Sequence, residues 1–194
     1  MARPRQISDA QIDAAARATF VERGPSAPVA LVAERLGVSH AALLQRAGSK
    51  EKLLLRALRP GVPEVIARLA LPPPPRAQAA ARLEALLRDL LDFHERMLPG
   101  LMVLRAGGLP TAPPAGAEPP TLVVRRLLTA WLARAARLPR RRAAAVAEGI
   151  LGAIEARCFN AYVGGPAFVK GDPRRFIHLL VTELVPQLVG VDKK

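Results

Sequence analysis

Apolar residues recur at three- and four-residue spacing along nearly the whole chain, and the period-two alternation of strands is absent. Prolines and glycines cut this helical pattern into segments. The first predicted helix runs from about Ser8 to Arg23. Ser8 caps it, Gln11 reaches back to complete a capping box, and Ile12, Ala15, Ala16, Thr19 and Phe20 share one face before Gly24 stops it. A short helix follows from Pro28 to Leu36, then the tight turn Gly37-Val38-Ser39, then a helix capped by Ser39 that ends near Arg46. Ser49 caps a fourth helix beginning Lys50-Glu51-Lys52, with Leu53, Leu54, Ala57 and Leu58 as its apolar stripe. Pro60, Gly61 and Pro63 interrupt it, and a second piece reaches about Leu69. Pro72 to Pro75 predict a stiff extended linker.

A long amphipathic helix is expected from Arg76 to Leu98, burying Leu83, Leu86, Leu87, Leu90, Phe93 and Met97, with Leu101 to Ala106 as a separate short helix. Residues 107–120 are too rich in proline and glycine for regular structure. Helices are predicted again over about 120–137, 139–163 and 172–189, and Pro186 should kink or end the last one. No internal repeat is visible.

Composition narrows the classes. With 194 residues, the chain is one domain or two small ones. Half of it is hydrophobic (51%) while only 4% is aromatic, so a real core is expected, filled by Leu, Ala, Val and Ile. The formal charge of +13 favours an anionic partner such as nucleic acid. That excess is spread along the chain: residues 1–59 carry +5 and residues 60–194 carry +8, so much of it is ordinary solvated helix surface. The single cysteine, Cys158, excludes an intramolecular disulfide framework and any Cys-based zinc or iron–sulfur cluster. The three scattered histidines, His40, His94 and His178, make no metal site, and no cofactor is implied. The N-terminus lacks the apolar stretch of a signal peptide and no window nears ~18 consecutive apolar residues, so a cytoplasmic protein without a membrane partner is expected. Glu-x-x-His pairs, Gly-x-Ser-x-Gly, phosphate-binding loops and dinucleotide fingerprints are all absent from the sequence, so an enzyme is not expected.

Residues 8–58 hold the most information. Three short helices with a glycine-containing turn between the second and third describe a helix-turn-helix. Val29, Val32, Ala33 and Leu36 can face Ile12, Ala16 and Phe20, while Gly37 permits the sharp turn and Val38 fills its corner. Leu43 anchors the third helix inward, so its other face carries His40, Ala41, Ala42, Gln45 and Arg46, the side chains that would enter a major groove.

On IDAAARATFVERG (12–24), VALVAERLGVSHAALL (29–44) and GSKEKLL (48–54), the chain resembles the TetR-type bacterial transcriptional regulators. The GVS turn followed by SKE is the most specific part, and the matching motifs cover about a quarter of the chain. The resemblance implies an all-α homodimer: an N-terminal three-helix helix-turn-helix DNA-binding domain (residues 1–58), then a helical ligand-binding and dimerisation domain (residues 59–194). The implied partners are a double-stranded, near-palindromic DNA operator and a small-molecule effector, and the implied function is a ligand-responsive repressor. The third helix departs from the family pattern. The family's tyrosine is Leu44 here, its His-Phe pair is Arg46-Ala47, and the usual threonine starting the second helix is Pro28. These departures motivate a second reading, a relative with weak sequence reading that acts as a protein-interaction module.

The DNA-binding candidates are Arg3 and Arg5 on a basic arm, Ser39, His40, Ala41, Ala42, Leu44, Gln45 and Arg46 on the third helix, and Lys50. Lys50 matches the lysine of the family's SKE motif, which approaches phosphate with the amides of the helix start. On helices the family uses for ligands, Phe93, His94, Met97, Met102, Trp131, Phe159 and Tyr162 are the effector candidates, with ordinary core as the alternative for each apolar one. Gly149, Gly152, Ala153 and Ala156 at three- and four-residue spacing allow a close helix approach. With Phe176, Leu180 and Leu184 of the last helix they are assigned to a dimer seam, against the alternative of an intramolecular contact. Cys158 is expected to behave as a small buried hydrophobe.

Overall fold

The computed structural model describes residues 7–59, 61, 63–113, 116–169 and 171–189. All regular structure among them is helical: α1 (Asp9–Arg23), α2 (Val29–Leu36), α3 (His40–Ala47), α4 (Lys50–Leu58), α5 (Val65–Ala70), α6 (Arg76–Ala106), α7 (Pro120–Ala135), α8 (Arg140–Gly164) and α9 (Pro173–Leu184), with 3-10 turns at Pro166–Phe168 and Pro186–Leu188. No helix among the described residues is long and apolar enough to cross a membrane.

The chain forms two compact units. One comprises Met1–Gly61 with Met97–Ala112, and the other Val62–Arg96 with Pro113–Lys194. The first unit is therefore not a simple N-terminal segment, since the last third of α6 belongs to it. Its core gathers Ile12, Ala16 and Phe20 of α1, Val32 and Ala33 of α2, Leu43 of α3, and Leu53, Leu54 and Leu58 of α4, closed by Val103 and Leu104 of α6. Burying one such Leu or Phe stabilises by about 1.5–3 kcal/mol, so these contacts, rather than the short helices' own propensities, hold the unit together.

Local signals set the helix starts. Ser8 Oγ accepts from the Gln11 amide at 3.2 Å, and Gln11 Oε1 accepts from the Ser8 amide at 2.8 Å, a complete capping box. Ser39 and Ser49 cap α3 and α4 in the same one-sided way, each hydroxyl accepting at 3.1 Å from the amide three residues on. Between α2 and α3, Gly37 takes a left-handed conformation (φ 67°), and its amide donates to the carbonyls of Ala33 and Glu34. Ion pairs tie α1 to its neighbours. Arg56 of α4 meets Asp13 at 2.6 Å and Arg35 of α2 meets Glu22 at 2.9 Å. The Arg35 guanidinium, helped by Arg23, holds the Glu22 carboxyl below the usual carboxylate range.

Two expectations about the helices need correction. The long helix does not stop at Leu98: α6 runs unbroken through Pro99 to Ala106. Proline removes one donor from the helix ladder, but the burial of Val103 and Leu104 beyond it offsets that loss. Gly100 makes the approach possible, since a Cβ there would lie 2.8 Å from the Leu58 carbonyl oxygen and 2.9 Å from an Arg17 guanidinium nitrogen. At the other end, the final helix stops short of the expected residue 189: Pro186 ends it, one of the two outcomes expected of that proline. α9 closes at Leu184, and the chain continues as a 3-10 turn that buries Leu188.

In the second unit, α7 packs along α8 and against α5, while α9 packs against α8. Trp131, Leu128 and Leu132 of α7 are buried with Ala143, Ala147, Ile150 and Ile154 of α8. His178 of α9 is bound to Glu84 of α6 at 2.8 Å, and Arg76 donates to the Gln187 carbonyl at 2.8 Å. Cys158 is buried on α8, and desolvation pushes its thiol up to about 11.

Candidate nucleic-acid interface and effector cleft

Helix α3 is held by its inner face. Leu43 and Ala47 are buried against α1 and α4, which leaves Ser39, His40, Ala41, Ala42, Gln45 and Arg46 exposed and Leu44 half-buried. One short helix thus presents a continuous outer surface with a single amide side chain and a single imidazole for hydrogen bonding. The two alanines leave room for close approach and can meet a thymine methyl.

Arg46 has an intramolecular partner. Its guanidinium pairs with Asp9 at 2.9 Å and also donates to the Ile7 carbonyl, so it ties the end of α3 to the start of α1. Arg3 and Arg5 lie outside the described residues. Lys50 opens α4 and its Nζ stands 6.0 Å from the centroid of the Phe20 ring, at the outer limit of a cation–π contact. Its side chain is half-buried, next to the first-turn amides of α4.

The effector candidates do not form one group. Phe93 and His94 of α6 line a narrow cleft with Thr121 and Val124 of α7 and Leu151 and Glu155 of α8. The cleft has a volume of about 10 Å³, room for roughly one water molecule. Trp131 (1% exposed) is a core residue away from that lining, while Phe159 (49%) and Tyr162 (46%) point to solvent. Met97 and Met102 are half-buried and belong to the first compact unit. Sequence reasoning missed Glu155 and Thr121. Neither carries a local signal, because they meet His94 only through helix packing.

The proposed seam residues lie on outward faces. Gly149, Gly152 and Ala156 of α8 and Leu184 of α9 are exposed, and Ala153, Phe176 and Leu180 are half-buried. Nothing lies within 4 Å of a Cβ built on Gly152. With Phe159 and Val163 exposed further along α8, this makes an apolar strip left open among the described residues.

A buried three-helix unit that leaves one face of its third helix bare defines a helix-turn-helix protein. Residues 12–57 match the model of the bacterial regulatory proteins of the tetR family. Residues 12–57 therefore carry the sequence pattern of that family's N-terminal domain, and the described residues have the fold seen in TetR-family transcriptional regulators. A tetR-family transcriptional regulator from Streptomyces coelicolor is 20% identical and superposes with a TM-score of 0.56 over 92% of this chain and 78% of that one. A second TetR transcriptional regulator from the same organism is 22% identical, with a TM-score of 0.51 over 92% of this chain and 98% of that one. No curated protein matches the sequence.

Proposed function

We propose that the protein is a ligand-responsive transcriptional repressor that binds a near-palindromic operator as a homodimer. The observation that carries this reading is the bare outer face of α3, offered by a helix fixed through Leu43 and Ala47. In this reading residues 1–58 are the DNA-binding domain and residues 59–194 hold the effector and the dimer seam. His40, Ala41, Ala42, Leu44 and Gln45 enter the major groove, and Gln45 reads a base edge. Lys50, the start of α4 and Arg3 and Arg5 of the arm neutralise phosphates. Arg46 reaches a phosphate only when it leaves Asp9. The exposed strip Gly149, Gly152, Ala156 and Leu184 supports pairing of α8 and α9 with a second copy.

Selection of fragmented genomic DNA by the purified protein at two salt concentrations tests the proposal. The expected result is enrichment of a short inverted repeat that survives the higher salt. Uniform, salt-sensitive retention of all fragments would refute sequence reading. It would favour the second reading, a protein-interaction module, for which the engagement of Arg46 by Asp9 already speaks. Gly152→Leu tests the seam: the chain itself has space for it, so the expected effect is weaker dimerisation in analytical ultracentrifugation with unchanged helicity.

A further inference from the structure

The cleft between α6, α7 and α8 contains a polar pair that its surroundings leave incomplete. His94 is 5% exposed, and its Nδ1 lies 2.8 Å from the Leu90 carbonyl oxygen, one turn back on α6. A carbonyl only accepts, so Nδ1 carries the proton, and in the neutral ring Nε2 is left as a bare acceptor. That Nε2 is buried without a hydrogen-bond partner. It faces Glu155 Oε1 at 3.8 Å, too far for a hydrogen bond, and the carboxylate is itself an acceptor. Two acceptors 3.8 Å apart thus line a cleft with room for roughly one water molecule, walled by Leu90, Phe93, Val124 and Leu151. The pair calls for a group that donates to both. An ammonium has several N–H donors and a charge that complements Glu155.

Phe93 shows where the rest of such a molecule would go. Its ring stands edge-on to His94, with centroids 5.8 Å apart. It walls the cleft and also a larger groove of about 460 Å³ that passes Arg68, Asp89 and Asp92. Phe93 lines both spaces, and the groove beside it already has a volume within the range of about 300–1,000 Å³ typical of small-molecule sites.

We propose that this cleft is the effector site and that it takes a compact apolar molecule ending in a protonated amine, whose N–H groups bridge His94 Nε2 and Glu155. The assignment rests on the reading of the protein as ligand-responsive. The ammonium fills the water-sized cleft, and the hydrocarbon part lies along Phe93 in the groove beside it. Glu155 is half-exposed at the mouth, so it meets the ligand first and selects for charge.

Isothermal titration calorimetry of the full chain with three probes of similar size tests this. Phenethylamine has charge and N–H donors, its N,N,N-trimethyl derivative has charge alone, and 2-phenylethanol has one neutral donor. Phenethylamine is expected to bind at least tenfold more tightly than either. Glu155→Gln is expected to erase that margin while leaving helicity unchanged. Nitrogen NMR of the free protein is expected to show Nε2 of His94 unprotonated. Equal affinity for the three probes, no saturation by millimolar phenethylamine, an unaltered margin in Glu155→Gln, or protons on both ring nitrogens would each overturn the proposal. DNA retention with and without phenethylamine separates the two readings. Amine binding without any change in DNA affinity keeps the site and removes the ligand response. Operator binding without amine binding removes the site and keeps the regulator.

Discussion

Gly100→Ala sets two physical effects against each other. In a helix interior, replacing Gly by Ala is normally favourable by about 1 kcal/mol, so propensity alone predicts a more stable protein. The structure predicts the opposite. The added Cβ would sit 2.8 Å from the Leu58 carbonyl oxygen, about 0.6 Å inside the 3.4 Å at which ordinary contact begins. It would also sit 2.9 Å from a guanidinium nitrogen of Arg17. That nitrogen donates to the Ala57 carbonyl at 3.4 Å, so moving it aside loosens a second tie at the end of α4. One of the two obstacles is backbone and cannot swing away like a side-chain tip. Overpacking of this kind costs about 1–3 kcal/mol. Set against the propensity gain, the net is a loss of up to about 2 kcal/mol, or up to roughly 8 °C in melting temperature for a chain of this size. Thermal unfolding followed by far-ultraviolet circular dichroism reads it directly. A melting temperature above that of the parent, as propensity alone predicts, would mean that α6 does not approach α4 so closely, and the account of why the helix runs through Pro99 would fall with it.

Three further outcomes are expected. Lys50→Ala should weaken binding to all DNA sequences alike and reduce the slope of log K against log salt by about 0.9, measured by fluorescence anisotropy at several salt concentrations. A loss confined to the selected operator would show that Lys50 is not a phosphate contact. Ser8→Ala removes the hydroxyl that caps α1 and should cost about 1 kcal/mol in urea unfolding, whereas an unchanged midpoint would show that the capping box is idle. Cys158, with its thiol near 11, should alkylate with iodoacetamide far more slowly than a free thiol at pH 8. Since the unfolded chain loses this proton at lower pH than the folded one, the same group lowers stability as pH rises from about 9 towards 11. Rapid alkylation at pH 8 would contradict its burial.

Much of the architecture is written locally. The Ser8, Ser39 and Ser49 caps and the Gly37 turn specify their own backbone, so the first four helices are legible within a residue or two. α6 is not, because the burial that carries it through Pro99 comes from residues far away in sequence, Leu58 and Arg17 among them. The exposed face of α3 is readable for the same reason as the caps: Leu43 fixes the phase of the helix, and the remaining positions follow from the helical repeat. Arg46 shows where that logic stops. Its place on the outer face is legible, but its capture by Asp9 depends on how α3 lies against α1. The cleft beside His94 is the least legible, since an apolar stripe cannot say which of its members turn inward. Phe93 and His94 do, Trp131 is spent on packing, and Phe159 and Tyr162 face outward.

Trp131 has a further use. It is the only tryptophan in the sequence, and it lies wholly buried on α7 in the second compact unit, while the first unit contains none. Its emission is therefore an optical reporter of one unit alone, blue-shifted while that unit is folded and moving to the red when it opens. Circular dichroism sums the helices of both. If the two signals change together on heating, the units melt as one cooperative body; if they separate, each unit has its own stability, and a ligand added to the solution will announce which unit it binds.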